Sequence, residues 1–321
     1  MIRVATIGSS MITRRFAAAV GEVEGIEITC AYSRDPERAA VFAAELGAPS
    51  SESDLDRLLA SPEIDAVYIA TPNSVHYAQA LAAIAAGKHV LVEKPATTGA
   101  AQTADLVAAA RAAGVVFLEE IRNVYDPGVA LVRELLPRLG QIRRVTLRLH
   151  QRSARYDLVL AGETVNIFDP AMGGGAMYDL GVYCAQLLVE LFGEPDRVLG
   201  ALVPVAGGAD GAGAALAVYP GFVADLSFSK ITVPGADNAI EGELGTLVFD
   251  DVCDPRRLTL RLPGGGEEEF TVTARGVDPL GNMVYPTERF VQAVAEGADI
   301  AAEQDRSIAA ARVLDAIRAT G

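Results

Sequence analysis

The sequence predicts an α/β chain in two parts: a doubly wound parallel sheet, then an α+β domain on an open, mostly antiparallel sheet. Three observations carry that expectation. Strand-like apolar runs alternate with helical runs from Ile2 to about Leu118, the pattern of a parallel sheet with crossover helices. The texture then changes to a period of two, with Val145, Leu147 and Leu149 alternating with Arg144, Thr146, Arg148 and His150, as in a sheet with one buried face. Between these lies Asp65–Pro95, DAVYIATPNSVHYAQALAAIAAGKHVLVEKP, which reads strand, loop, helix, strand, loop and ends on Glu93-Lys94-Pro95.

A length of 321 residues suggests about two domains, and half the residues are hydrophobic, ample for two cores. Residues 1–122 are expected to form the first domain and residues 123–321 the second, with the last helix able to pack back on the first. The formal charge is 27 − 42 = −15. That balance argues against a nucleic-acid partner, which needs clustered Lys and Arg. Arg143, Arg144, Arg148 and Arg152 do cluster, and are read as a solvated or partner-facing surface. The cysteines Cys30, Cys184 and Cys253 are odd in number and widely spaced, which argues against a disulfide framework and for a reducing cytoplasm. His76, His89 and His150 show no paired spacing, so no metal site is expected. No basic leader and no apolar run of about 20 residues is present, which reads as a soluble chain without a membrane segment.

Each element has its own justification. Ile2–Ile7 is an apolar strand, followed by Gly8-Ser9-Ser10-Met11-Ile12-Thr13 and a helix through about Val20. The place is right for a dinucleotide fingerprint, but the pattern is degraded: Gly8 can make the tight turn, while Ser10 and Thr13 stand where the second and third glycines are expected. Small side chains still let the backbone approach a pyrophosphate, whose charge is favoured at a helix N-terminus. Ile26–Tyr32 is the second strand, and Asp35-Pro36 starts the next helix as cap and first-turn proline. At the strand end, where NAD enzymes place an acid for the ribose 2′-hydroxyl, stands Ser33-Arg34. No carboxylate repels a 2′-phosphate there, and Arg34 can pair with it, with Arg38 one turn along. The expected cofactor is NADP, with NAD possible.

Ser53–Leu59 is a short helix. In the central stretch, Thr71-Pro72 ends a strand, Asn73 or Ser74 caps a helix, Gly87 stops it, and His89–Val92 is a buried strand. Lys94 follows at the carboxyl end, where ligands bind in open parallel sheets, and packing explains a lysine there poorly. Thr98 or Gly99 opens an alanine-rich helix to Ala113, and Val115–Leu118 is another strand. Glu119–Tyr125 crosses into the second domain, with Arg122 and Asn123 either facing a cleft or making interdomain hydrogen bonds. Asp126–Arg138 is a helix. After the alternating run at 142–150, further strands are expected at Arg197–Pro204, Ala214–Tyr219, Phe222–Ile231, Asn238–Glu243, Thr246–Asp250, Arg257–Leu262 and Glu268–Thr273. Pro286–Glu296 and Gln304–Ala319 close the chain as helices. The run Gly173–Tyr183, GGGAMYDLGVY, frees the backbone just before a helix towards Phe192, on which Asp179 and Tyr183, four apart, share a face. On pattern alone such a tyrosine reads as core.

The segment A-T-P-N-x-x-H (Ala70–His76), the E-K-P of Glu93–Pro95 and the Gly173–Tyr183 motif, in this order and spacing, resemble the glucose–fructose oxidoreductase/inositol dehydrogenase (Gfo/Idh/MocA) family over nearly the whole chain. Tyr183 stands where many members carry His, which resembles the glucose–fructose oxidoreductase and dihydrodiol dehydrogenase branch. The resemblance implies an N-terminal Rossmann domain whose cofactor contacts include Gly8, Ser9, Ser10, Met11, Ile12, Thr71, Pro72, Asn73, His76, Glu93 and Lys94. It further implies that Lys94 reaches the reacting hydroxyl and that its bond to Pro95 is cis. Tyr183 is then the proton carrier, and Asp179 binds a substrate hydroxyl or orients Lys94. The implied activity is an NAD(P)-dependent dehydrogenase, NADP-preferring, acting without metal on a small sugar, polyol or cyclic diol. The alternative is a nucleotide-binding sensor that turns nothing over. Tyr156–Pro170 and the sheet face would line the substrate pocket, and the open sheet invites a homodimer or higher homo-oligomer.

Overall fold

The computed structural model describes residues 1–275 and 281–320. Its first six strands are β1 (Ile2–Ile7), β2 (Ile26–Tyr32), β3 (Ser50–Glu52), β4 (Ala66–Ile69), β5 (His89–Glu93) and β6 (Phe117–Glu120). They lie in the order β3-β2-β1-β4-β5-β6, every pair parallel. The crossovers are α1 (Met11–Val20), α2 (Pro36–Leu46), α3 (Leu55–Ala60), α4 (Asn73–Ala85) and α5 (Ala100–Ala113). This is the doubly wound order of dinucleotide-binding sheets. Side chains alternate along each strand, and both faces are covered: Ala5, Ile7, Val67, Ile69, Val90 and Val92 fill one core, and Val4, Tyr68, Leu91 and Phe16 the other. Two-sided burial is why these strands read as continuous apolar runs.

Local chemistry accounts for most boundaries. Asp35 caps α2, its carboxylate accepting from the amides of Glu37 and Arg38 at 2.9 and 3.1 Å, with Pro36 in the first turn. Gly47 ends that helix in the left-handed region at φ 69°. Four expectations shift. The α4 helix begins at Asn73, with Pro72 in the capping position and no side-chain cap, so neither Asn73 nor Ser74 acts as the cap. Strand β6 starts two residues later than expected, the Val116 amide going to the His89 ring at 3.0 Å and not to the sheet. The three-residue β3 adds an edge strand too short for a sequence signal. The helix expected to reach Arg138 is α6 (Pro127–Leu135), which tightens into a 3₁₀ turn at Leu136–Leu139, where Pro137 has no amide to donate.

The second sheet has eight strands: β7 (Ile142–His150), β8 (Arg197–Pro204), β9 (Asp210–Tyr219), β10 (Phe222–Ser229), β11 (Asn238–Gly242), β12 (Gly245–Phe249), β13 (Arg257–Arg261) and β14 (Glu267–Thr271). Their order is β14-β13-β12-β11-β7-β10-β9-β8, with only the β7–β10 pair parallel. A short α7 (Tyr156–Leu160) lies in the segment after β7, and α8 (Val182–Phe192) buries Val182 through Val189 against the inward face of the sheet. The outward face carries ion pairs, Arg144 with Asp225 at 2.7 Å and Arg143 with Glu243 at 2.6 Å, which occupy part of the arginine cluster.

The chain closes with α9 (Val284–Glu296) and α10 (Ala301–Thr320). It divides into two compact units, one of Met1–Thr97, Ala101–Glu120 and Arg275–Ile308, the other of Thr98–Ala100, Ile121–Ala274 and Ala309–Gly321. A single boundary at residue 122 therefore does not describe it. Met283, Val284 and Phe290 belong to the core of the first unit, alongside Phe16 and Tyr68.

Candidate active site

In the first unit the site residues gather at the carboxyl ends of β1, β4 and β5. Strands β1 and β4 lie side by side although β2 and β3 intervene in sequence, so their ends mark the point where strand order reverses. Gly8 sits there at φ 119°, and a Cβ on it would lie 2.4 Å from the Ala70 carbonyl oxygen. Only glycine allows this turn, and its backbone is thereby left bare for a close ligand. Ser10 stands at the α1 N-cap in extended conformation, its hydroxyl 3.4 Å from that of Thr13 and making no capping bond to a backbone amide. The amides at such a terminus are donors to a pyrophosphate. Thr13, in the place of a third glycine, donates its hydroxyl to the Gly8 carbonyl at 3.0 Å and braces the turn. Ser9 and Ile12 are partly buried and Met11 is 62% exposed.

At the end of β2, Arg34 and Arg38 are exposed, and two nearby acids, Asp35 and Glu52, are engaged. Asp35 is spent on the α2 cap, with the Ser33 hydroxyl accepting the Asp35 amide at 3.3 Å. Glu52 accepts the amides of Ser53 and Asp54 at 2.8 and 3.0 Å, and those backbone bonds hold its carboxyl below the usual range.

The ends of β4 and β5 are tied together from below. His76 on α4 is fully buried, its Nε2 2.8 Å from the Thr71 carbonyl and its Nδ1 3.0 Å from the Pro95 carbonyl. Burial, helped by the Lys94 charge, lowers its proton affinity against the pull of the two carbonyls, so a neutral ring donates to one of them. His76 was expected at the cofactor; fully buried, it can only position, holding Thr71 against the Lys94–Pro95 turn. That peptide bond is cis. Thr71 donates its hydroxyl to Gln79 at 2.6 Å. Glu93 is likewise buried and accepts the Tyr68 hydroxyl at 2.6 Å, which sets it among the supports. Lys94 is half-buried just past the carboxyl end of β5.

The second unit carries the other motif. Met177–Gly181 is wound as a π-helix that runs directly into α8, so Asp179 lies on a widened turn and Tyr183 on the first α-turn. Such widened turns are common at functional sites. Asp210 in β9, missed in the sequence, accepts the Met177 amide at 2.6 Å and caps this start. Burial raises its carboxyl against the backbone donors that lower it. Asp179, with 42% of its side chain exposed, forms an ion pair with Lys230, whose side chain is 5% exposed and whose Nζ lies 5.7 Å from the Phe168 ring centre. Sequence reasoning missed Lys230 as well. Tyr183 is 7% exposed, with the Arg122 guanidinium 5.3 Å from its ring centre. Asn123 donates to the carbonyls of Tyr183 and Val252, both at 3.1 Å, clamping the start of α8. In the segment expected to line a substrate pocket, Tyr156 and Phe168 pack together at 5.9 Å, next to Lys230.

Among the described residues no group of three or more His, Cys, Asp or Glu side chains is placed to hold a metal ion. The three cysteines are free and buried. Among the described residues no helix is long and apolar enough to cross a membrane.

Comparison with known proteins agrees with this geometry. The model of an oxidoreductase family with an NAD-binding Rossmann fold (GFO_IDH_MocA) matches residues 2–120, and that of the GFO/IDH/MocA C-terminal domain matches residues 129–248. A scyllo-inositol 2-dehydrogenase (NADP(+)) of Bacillus subtilis, IolU, is 37% identical over 99% of this chain and 96% of its own length. A trans-1,2-dihydrobenzene-1,2-diol dehydrogenase of Sus scrofa is 29% identical over 77% of this chain and 75% of its own. Among solved structures, KijD10, a 3-ketoreductase from Actinomadura kijaniata in complex with NADP and TDP-benzene, superposes with a TM-score of 0.89 at 26% identity, covering 99% of this chain and 97% of that one.

Proposed function

Since the chain belongs to the Gfo/Idh/MocA oxidoreductase family and is an NAD(P)-dependent dehydrogenase acting on CH–OH groups, we propose that it is NADP-preferring and acts on a small cyclic polyol or sugar-like ketone. The observation that carries the cofactor preference is the end of β2: Arg34 and Arg38 are exposed there, while Asp35 and Glu52 have their carboxylates committed to backbone amides. A 2′-phosphate would meet two guanidinium groups, with the carboxylates of Asp35 and Glu52 turned to backbone amides. Gly8, bare of a Cβ, and the first turn of α1 fit the pyrophosphate. The cyclic-polyol class is supported by the relative that is 37% identical along almost the whole chain, whose own substrate is an inositol.

When bound, the nicotinamide supplies or accepts the hydride. The protein's part is charge and proton. Lys94, at the carboxyl end of β5, stabilises the oxygen that gains negative charge as the carbonyl is reduced. Tyr183 delivers the proton to that oxygen, and takes it back in the direction of alcohol oxidation. Asp179, kept ionised by Lys230, accepts hydrogen bonds from neighbouring substrate hydroxyls. The test is a panel of inositols, inososes, aldoses and dicarbonyls with NADP(H) and NAD(H), followed by nicotinamide absorbance. Turnover with cyclic polyols or their ketones, faster with NADP(H), is expected. Tight NADPH binding with no turnover on any member would overturn it in favour of a sensor.

A further inference from the structure

The sequence left Arg122 as either a cleft-facing residue or an interdomain hydrogen-bonder, and the fold brings it onto the residue on which acid–base chemistry depends. It opens the 3₁₀ turn Arg122–Tyr125 after β6, and Asn123 anchors that turn to the backbone of Tyr183 and of Val252. The turn is thus fixed to the first turn of α8, and the guanidinium lies over the Tyr183 ring, 5.3 Å from its centre. Guanidinium is planar and stays charged at every working pH, so it is suited to a permanent stack on an aromatic face.

We propose that Arg122 is a positioning cation for Tyr183: it fixes the ring's orientation and stabilises the phenolate, so that the tyrosine can accept the proton of a substrate hydroxyl. This rests on the reading of Tyr183 as proton carrier. In the oxidation direction the alcohol's C–H leaves as hydride to NADP⁺, and its O–H proton passes to the phenolate. In reduction the neutral phenol returns that proton to the alkoxide. A free phenol titrates near ~10, and at 7% exposure burial holds the proton on more firmly. An adjacent cation is the remedy available within this unit.

The other charged and titratable neighbours are compatible with that role. Cys253 and Cys184 are buried, which pushes both thiols up and keeps them neutral. Asp254 is pushed up to about 6 by burial and by Asp251, with Arg122 and Arg256 pulling it down. Arg256 is itself paired with Asp126 through two bonds of 2.8 Å. Asp179, one turn before Tyr183, is neutralised by Lys230. Burial works against the charge on Arg122, but Tyr183 and Asp254 outweigh it and hold its proton more tightly than usual.

The experiment is a titration of the Tyr183 phenol by NMR in protein carrying tyrosine labelled at the ring carbon that bears the hydroxyl, with the signal assigned by its loss in Tyr183→Phe. Because Arg122→Met also removes a charge that pulls Asp254 down, wild type and Arg122→Met are compared with and without Asp254→Asn. In the wild type the midpoint should lie below the ordinary phenol value. In Arg122→Met it should rise by about two pH units, the effect of a unit charge at about 5 Å in an effective dielectric of about 20. Arg122→Lys should recover part of the shift, and the basic limb of kcat/KM for alcohol oxidation should move in parallel. A wild-type midpoint at or above the ordinary value overturns the proposal, and needs no variant that might fold poorly. So does a midpoint indifferent to Arg122→Met. If Tyr183→Phe remains active, the proton-carrier reading falls, while the titration still reports whether Arg122 shifts the phenol.

Discussion

The ion pair between Lys230 and Asp179 is lopsided, and the imbalance makes a quantitative prediction. The lysine side chain is 5% exposed and the carboxylate 42% exposed. Removing the acid strands a buried ammonium; removing the lysine leaves a carboxylate that water can still reach. Breaking a buried pair from the side that leaves a buried charge costs about 3–5 kcal/mol. Losing only a charge-assisted bond costs about 1.5–3 kcal/mol, part of which a methionine regains by burying an apolar stem in the same space. Asp179→Asn should therefore be the more destabilised protein, and Lys230→Met the milder one. In the double variant no charge is stranded, so its loss should be close to that of Lys230→Met alone, a coupling of about 2 kcal/mol or more. Urea unfolding of wild type, both single variants and the double variant gives the cycle directly. Equal losses in the two single variants, or additive losses in the double, would show that the pair does not hold Asp179. The same cycle run on activity separates Asp179's stability role from its chemistry, since Asp179→Asn and the double variant should both be inactive while differing in stability.

Four further outcomes are expected. Arg34→Ala should weaken NADPH binding by about ten- to a hundredfold, the equivalent of about 1.5–3 kcal/mol for a lost charge-assisted bond, and leave NADH nearly unchanged; paired binding titrations check this, and equal losses would make Arg34 a stacking residue only. Lys94→Met keeps the stem and removes the charge, so turnover should fall by orders of magnitude with NADPH binding largely retained, as read by single-turnover kinetics beside fluorescence titration. Gly8→Ala meets both an unfavourable φ of 119° and a carbonyl oxygen at 2.4 Å, so nucleotide binding should be lost and thermal stability lowered together. Burial lowers the proton affinity of His76, His89 and His150 in the folded state. The unfolded chain then binds more protons just below their ordinary value near ~6.5, and stability should fall as pH drops through that point. Asp254, raised to about 6, works in the opposite sense between about pH 4 and 6, so Asp254→Asn should steepen the acid loss seen in a pH series of melting temperatures.

Most of the architecture was legible because its signals are local. Strand runs buried on both faces, a proline-bearing helix start at Asp35-Pro36, and glycine stops at Gly47 and Gly87 act within a few residues. What escaped depends on partners far along the chain. Asp210 lies 33 residues from the amide it caps and Lys230 lies 51 from its carboxylate, and no periodicity connects them. A partial signal for Lys230 does exist. Along β10, Ala224, Leu226 and Phe228 face inward, and the same alternation carries on to Lys230, a charge at a position where burial is expected. His76 and Glu93 show a different limit: the sequence marks them by motif, but it cannot tell a residue that touches a ligand from one that holds the residue that does. Both are buried, His76 between the Thr71 and Pro95 carbonyls and Glu93 on the Tyr68 hydroxyl.

The same distinction explains the glycine run before α8, which the sequence suggested only as free backbone. Gly175 holds φ 129°, and a Cβ on it would lie 2.1 Å from the Asp210 carboxylate. The glycine is thus what allows Asp210 to reach the Met177 amide, and that bond starts the π-turn. At the other end, a Cβ on Gly181 would lie 2.9 Å from the Phe228 ring, so the turn can settle on β10 only because that position is bare. Held at both ends, the segment Met177–Gly181 carries an extra residue per turn relative to an α-helix. Asp179 lies about one turn before Tyr183. It turns to the Lys230 side while Tyr183 turns to Arg122. Each of the two polar side chains thus acquires its own cation, and the carboxylate's negative charge is neutralised before it can raise the phenol's proton affinity. Lys230 and Arg122 are thus what let a carboxylate and a phenol occupy neighbouring turns of one helix.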